Sequence, residues 1–396
     1  MSKLSTATKR LLLGRPFRSD TLGHTLLPKR IALPVFASDA LSSIAYAPEE
    51  IFLVLSVAGL SAYAFTPWVG IAVAVVLVIV VASYRQNVRA YPSGGGDYEV
   101  ATKNLGPTAG LTVGSALLVD YVLILAVSIS SAAANIGSAV PFVAQHKVLF
   151  AILAIGLLTA MNLRGMREAG TAFAIPTYAF MAAMAIMIVW GFVRIFVFGD
   201  DLRAESADFE LVAEQTDLTA IAFVFLIARA FSSGCAALTG VEAISTGVPA
   251  FRKPKARNAA TTLLLLGAVA VPLFLGVVLL AGRIGVVVAE HPATQLKGAP
   301  EGYEQKTLVA QLAHAVFAGF PVGFFLVTVA TALILLLAAN TAFSGFPRWR
   351  RCSRRTGICR GSCTRAVTSW RSATGFCSCR AWRSCSCGCS MPGSPS

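Results

Sequence analysis

Charged side chains are scarce in this chain. Only 13% of its 396 residues are Asp, Glu, Lys or Arg, against about a quarter in an ordinary soluble domain. Cysteine is almost missing from residues 1–348, where Cys235 stands alone, so no disulfide framework holds that region together. Histidine occurs as His24, His146, His291 and His314, without the spacing of a metal cluster. There is no Walker loop, no His–Glu zinc pattern and no nucleophile elbow. The sequence therefore offers no enzyme and implies no cofactor. What is abundant is apolar: 56% of the residues are hydrophobic. Between residues 31 and 347 they form long runs nearly free of Lys and Arg, the mark of a polytopic all-α integral membrane protein.

A membrane helix needs about 20 mostly apolar residues. Windows of that size predict eight spans, at 31–60, 67–88, 108–140, 147–164, 171–198, 219–248, 259–282 and 308–344. No uninterrupted apolar core precedes residue 31, so no cleavable signal peptide is expected. Residues 1–30 read as a basic arm carrying Lys3, Lys9, Arg10, Arg15, Arg18, Lys29 and Arg30. The second, fourth and sixth connections are basic too, with Arg85, Arg89 and Lys103, then Arg164 and Arg167, then Arg252, Lys253, Lys255 and Arg257. The other connections are neutral or, between Asp200 and Asp217, acidic. The positive-inside rule then predicts a cytoplasmic N-terminus in a multi-pass cell-membrane protein.

Spans one and six are each interrupted. Span one contains Asp39, Ser42, Ser43, Tyr46, Pro48, Glu49 and Glu50; span six contains Ser232, Ser233, Gly234, Thr239, Gly240 and Glu242. Paired interruptions five spans apart predict an inverted-repeat transporter with a midplane site between broken helices one and six. Asp39, Asp120, Glu242 and Arg229 are ionisable groups inside spans, and such groups are functional candidates because burying them is costly. The competing reading is a structural pair, such as Arg229 with a carboxylate. Glu49 and Glu50 have a blander reading beside the helix start at Pro48. The hydroxyls Ser42, Ser43, Ser128, Ser232 and Ser233 serve equally as ligands or as interhelical glue. No glycine occurs between Gly23 and Gly59, so span one lacks the bare backbone that lets amides approach a carboxylate. Carboxylates, a phenol and hydroxyls form a hard oxygen set suited to a hard cation.

Five segments carry a resemblance: Ser38–Tyr46, Tyr91-Pro-Ser-Gly-Gly-Gly96, Leu118-Val-Asp120-Tyr121, Asn162-Leu-Arg-Gly165 and Phe231–Ser245. They resemble the KimA-type branch of the KUP potassium transporters, within the amino acid–polyamine–organocation superfamily of LeuT-like fold. The resemblance implies proton-coupled potassium import across the bilayer. It implies cation ligands at Asp39, Tyr46, Asp120 and Thr239 and a proton-coupling carboxylate at Glu242. Ser42, Ser128, Ser232 and Arg229 would support them, and a homodimer stays open. Ile124 departs from the family's usual threonine and removes one hydroxyl. An amino-acid or polyamine permease is the alternative within the fold, and a non-transporting membrane sensor or scaffold is the alternative outside it.

Residues 349–396 differ abruptly. They hold ten Ser, nine Arg, eight Cys and three Trp, with no Leu, Lys, Asp or Glu. Thiolate metal ligation or a nucleic-acid arm would use such residues. A change of reading frame near Arg348 explains them better. Every Cys and Trp codon begins with the bases T and G, so a shifted frame turns these positions into Leu, Met or Val codons. The segment then becomes apolar and could supply a ninth helix, so the transporter domain at 31–348 is expected to be truncated after about eight spans. Neither nucleic acid nor metal is expected as a partner of the tail. Resequencing of the gene is expected to reveal a frame change near Arg348; a confirmed frame, with the same tail in related chains, would overturn this.

Overall fold

The computed structural model describes residues 26, 29–163, 170–215, 219–300 and 303–355. Most of the basic arm at 1–30, Arg164 and Arg167, Asp217 and all of the tail beyond Arg355 lie outside the described residues. The chain divides into two units, 1–346 and 347–396, and the first holds the helices that build the core.

Helix α1 (Lys29–Ser42) gives way to a tight 3-10 turn at Ser43–Ala45, and α2 starts at Ala47 and ends at Ser56. A 3-10 segment (Leu60–Phe65) leads into α3 (Thr66–Ala90), followed by α4 (Gly96–Leu105), α5 (Pro107–Gly137), α6 (Pro141–Gln145), α7 (Lys147–Leu163) and α8 (Gly170–Val193). Next come β1 (Glu210–Leu211), α9 (Ala220–Gly234), α10 (Glu242–Thr246) and α11 (Lys255–Ile284). The described chain ends with α12 (Pro292–Gln295), β2 (Leu296–Lys297), α13 (Leu308–Val316) and α14 (Pro321–Arg355). β1 and β2 pair antiparallel, Glu210 opposite Lys297.

Among the described residues, six helical stretches are long and apolar enough to cross a membrane: Leu60–Ala90, Pro107–Gly137, Ala174–Phe198, Ala220–Thr246, Lys255–Ile284 and Pro321–Ala342. Lys147–Asn162 is apolar but shorter. Their outward faces stay apolar, with Val122, Ile152 and Ile221 among the exposed side chains, as contact with lipid requires. The expected first span is two helices, α1 and α2. The expected span at 308–344 is also divided: α13 is a separate helix, capped by Thr307, whose hydroxyl accepts from the Ala310 amide at 3.4 Å. The crossing helix begins only at Pro321, whose fixed φ suits a first helical position. Hydropathy cannot find that boundary, because both pieces are apolar.

The core is built around α11, which packs most extensively on α3 and also touches α1, α8 and α13. Small residues let the backbones approach, the usual device where no water drives helices together. A Cβ on Gly70 would stand 2.9 Å from Val278 Cγ1. Asn162 Nδ2 donates to Asn340 Oδ1 at 2.7 Å, joining α7 to α14 by a part-buried polar bond. Gly70→Val is expected to destabilise the protein by about 1–3 kcal/mol through overpacking, read as a lower thermal midpoint in detergent. Gly282→Ala, where an added Cβ meets nothing within 4 Å, is expected not to lower it.

Candidate functional site

The interruptions predicted in spans one and six meet in space. α1 stops at Ser42, and its last turn is tied back on itself: Ser42 Oγ donates to the Asp39 carbonyl at 2.7 Å and Ser43 Oγ to the same carbonyl at 3.3 Å. α9 stops at Gly234, and a 3-10 turn over Cys235–Leu238 leads to an extended Thr239 (φ −62°, ψ 147°). Gly240 follows with φ +83°, a conformation that strains any residue bearing a Cβ. It also lies flat against the other interruption, where an added Cβ would stand 2.6 Å from the Ala40 nitrogen and 2.8 Å from Asp39 Cβ.

A chain of hydroxyls bridges the two segments. Ser43 Oγ lies 3.0 Å from the Tyr46 hydroxyl and 2.9 Å from Thr239 Oγ1, and Thr239 Oγ1 lies 2.8 Å from the Ala236 carbonyl. Ser38, Ser42, Ser43 and Asp39 are buried, and Tyr46, Thr239 and Glu242 are half-buried. On α5, Asp120 is half-buried, whereas Ser128 and Ile124 are buried. Asp39, Asp120 and Glu242 lie close enough for their charges to interact. Glu242 also feels Asp97 of α4, to which the Tyr84 hydroxyl donates at 2.6 Å.

Among the described residues, no cation of the protein answers these carboxylates. The ion pairs there are Lys103–Glu99, Arg194–Asp200, Arg203 with Asp201 and Asp208, and Lys306–Glu205. None involves Asp39, Asp120 or Glu242. Nor do three His, Cys, Asp or Glu side chains converge tightly enough to hold a metal ion among the described residues. An ion in this cluster would take its remaining ligands from Tyr46, Thr239 and the opened backbone.

The structure thus gathers Asp39, Tyr46, Thr239, Ser42, Asp120 and Glu242. It does not bring Arg229 or Ser232 to them: both lie on α9, Arg229 exposed and Ser232 at its end, and Arg229 forms no ion pair among the described residues. Ser128 is buried on α5 without a bond to the cluster among the described residues. Ser43, Gly240, Tyr84 and Asp97 carry more of the arrangement than their sequence context suggests. Ser43 and Gly240 had a signal, their places in the two interrupted spans, whereas Tyr84 and Asp97 had none.

The KimA potassium transporter of Bacillus subtilis (strain 168) is 40% identical to this chain over 343 residues, covering 86% of the chain and 53% of that protein. The chain therefore spans about half the length of this relative. The low-affinity putrescine importer PlaP of Escherichia coli (strain K12) is 30% identical over 112 residues, 28% of this chain and 24% of that protein. Both relatives are transporters, and both agree with a multi-pass membrane protein. Residues 35–351 match the amino acid permease family, and the chain belongs to that family.

Proposed function

We propose that the chain is a secondary active cation carrier of the cell membrane, built to import potassium together with protons. The observation that carries this reading is the cluster of Asp39, Asp120 and Glu242 beside Tyr46 and Thr239, with no cation from the described residues paired to any of them. Uncompensated carboxylates in a low-dielectric interior are costly, and a transported cation relieves that cost. Asp39, Tyr46, Asp120 and Thr239 are its ligands, and Glu242 carries the coupling proton. The similarity to a potassium transporter supports the choice of ion.

In this reading the helices follow the LeuT-like inverted repeat, with α1–α2 and α9–α10 as its broken first and sixth members and the N-terminus in the cytoplasm. Five spans stand in the first repeat and three in the second. The shifted frame near Arg348 leaves the chain inactive, while a version with the frame restored transports.

The polyamine reading has its own support in the similarity to a putrescine importer, since a carboxylate cluster also attracts an organic cation. One experiment separates the two. The gene, unaltered and with its frame repaired after Arg348, is expressed in a bacterium lacking potassium uptake and grown at limiting potassium. The repaired gene is expected to rescue growth and the unaltered one to fail. Asp39→Asn in the repaired gene is expected to cut rubidium uptake at least about tenfold, in line with roughly 1.5–3 kcal/mol for one charge-assisted ligand. Robust uptake by the unaltered chain would overturn its inactivity. Putrescine uptake without potassium rescue, by a well-expressed repaired protein, would overturn the potassium reading in favour of the polyamine one.

A further inference from the structure

Tyr46 also borders a cavity of about 210 Å³ between α2, α5, α14 and the start of α13. Its polar lining includes Glu49, Glu50, Asn135 and Thr331, with Tyr46, Thr307 and two serines of α5, Ser130 and Ser131. Three of these side chains are prepared in a way the central cluster does not explain. Asn135 is 2% exposed, and its side-chain oxygen has no hydrogen-bond partner among the described residues, which costs about 1–3 kcal/mol in a buried group. Glu49 accepts the Leu308 amide of α13 with Oε2 at 3.2 Å, and Oε1 accepts no bond from the described residues. Thr331 has already given its hydroxyl hydrogen to the Val327 carbonyl at 2.7 Å, so its oxygen offers only lone pairs.

Among the described residues, no Lys, Arg or His lines this cavity. The basic residue nearest in sequence to the lining, Lys306, is tied to Glu205. The volume is also ample: a water's share of liquid is about 30 Å³, so an ion keeping some of its water fits.

We propose that this cavity is a second cation site, in which Glu49 and Asn135, with Thr331 behind them, hold a partly hydrated monovalent alkali cation beside the central cluster. Carboxylate, amide and hydroxyl oxygens are hard donors that suit such an ion, and of the two lining carboxylates, Glu49 and Glu50, Glu49 is the one that a hydrogen bond fixes in place; one ordered carboxylate matches a single charge. Tyr46 is common to the two sites, lining the cavity and lying with its hydroxyl 3.0 Å from Ser43 Oγ. The inference rests on the cation-carrier reading for its biological meaning, but binding can be measured without transport.

The test is equilibrium binding of radioactive rubidium to the purified full chain in detergent. In Asp39→Asn, which disables the central cluster, saturable rubidium binding is expected to persist. Adding Glu49→Gln or Asn135→Leu is expected to weaken it at least about tenfold, a loss of about 1.4 kcal/mol. Glu49→Gln keeps an oxygen for the Leu308 amide, and thermal midpoints confirm that each variant is folded. Loss of all binding in Asp39→Asn overturns the second site and leaves the central reading standing. Binding in Asp39→Asn that neither added substitution weakens overturns it as well. Displacement of rubidium by calcium at lower concentration than by potassium or sodium overturns the monovalent assignment. If Asp39→Asn leaves the rubidium stoichiometry intact and Glu49→Gln removes it all, the central reading fails and the second site stands.

Discussion

Backbone polar groups have no water to turn to inside a bilayer, and that constraint governs this molecule most visibly at residues 39–46 and 235–242. Two helices stop within the apolar core, and the bonds they give up must be recovered locally. Ser42 and Ser43 return to the Asp39 carbonyl, Thr239 bonds to the Ala236 carbonyl, and Ser43 joins the two segments. The same side chains that satisfy the opened backbone also present oxygens to whatever lies between them. In the proposed reading, structural repair and ligand chemistry are a single set of atoms, which accounts for a cluster rich in Ser and Thr rather than in amides or basic groups.

The polar network around α13 solves a related problem on one face. Ser206 Oγ donates to Gln311 Oε1 at 2.6 Å and accepts the Val287 amide at 2.8 Å. Tyr63 donates to the Val288 carbonyl at 2.8 Å, and Arg194 joins Asp200 to the Val316 carbonyl. Leu308, Val309, Leu312 and Ala313 of α13 are fully covered, so this short helix belongs to the core as much as any crossing helix does.

Much of this architecture is legible in the sequence. Long apolar runs with few charges locate the crossing helices, and Asp39, Tyr46, Thr239 and Glu242 stand out because hydroxyls and carboxylates interrupt otherwise apolar helices. Other features are hidden for identifiable reasons. The division between α13 and α14 lies within a continuous apolar window, where only Gly319 and Pro321 mark it. Asn135 sits in an ordinary membrane helix, and nothing in the sequence says that its carbonyl lacks a partner among the described residues. Arg229 and Ser232 share an interrupted helix with Thr239, but position along a chain does not fix which face a side chain occupies. Asp97 lies outside every span, and only folding brings α4 close enough for it to influence Glu242.

The close approach of Gly240 to Asp39 and Ala40 has a mechanical meaning. Gly240 rests on the Ala40 amide and the root of the Asp39 side chain with no side chain of its own to cushion a displacement. The segment carrying Glu242 and the segment carrying Asp39 therefore have little room to shift past one another at this point. The two interrupted helices are thereby wedged together at a glycine, and any side chain at position 240 would pry them apart.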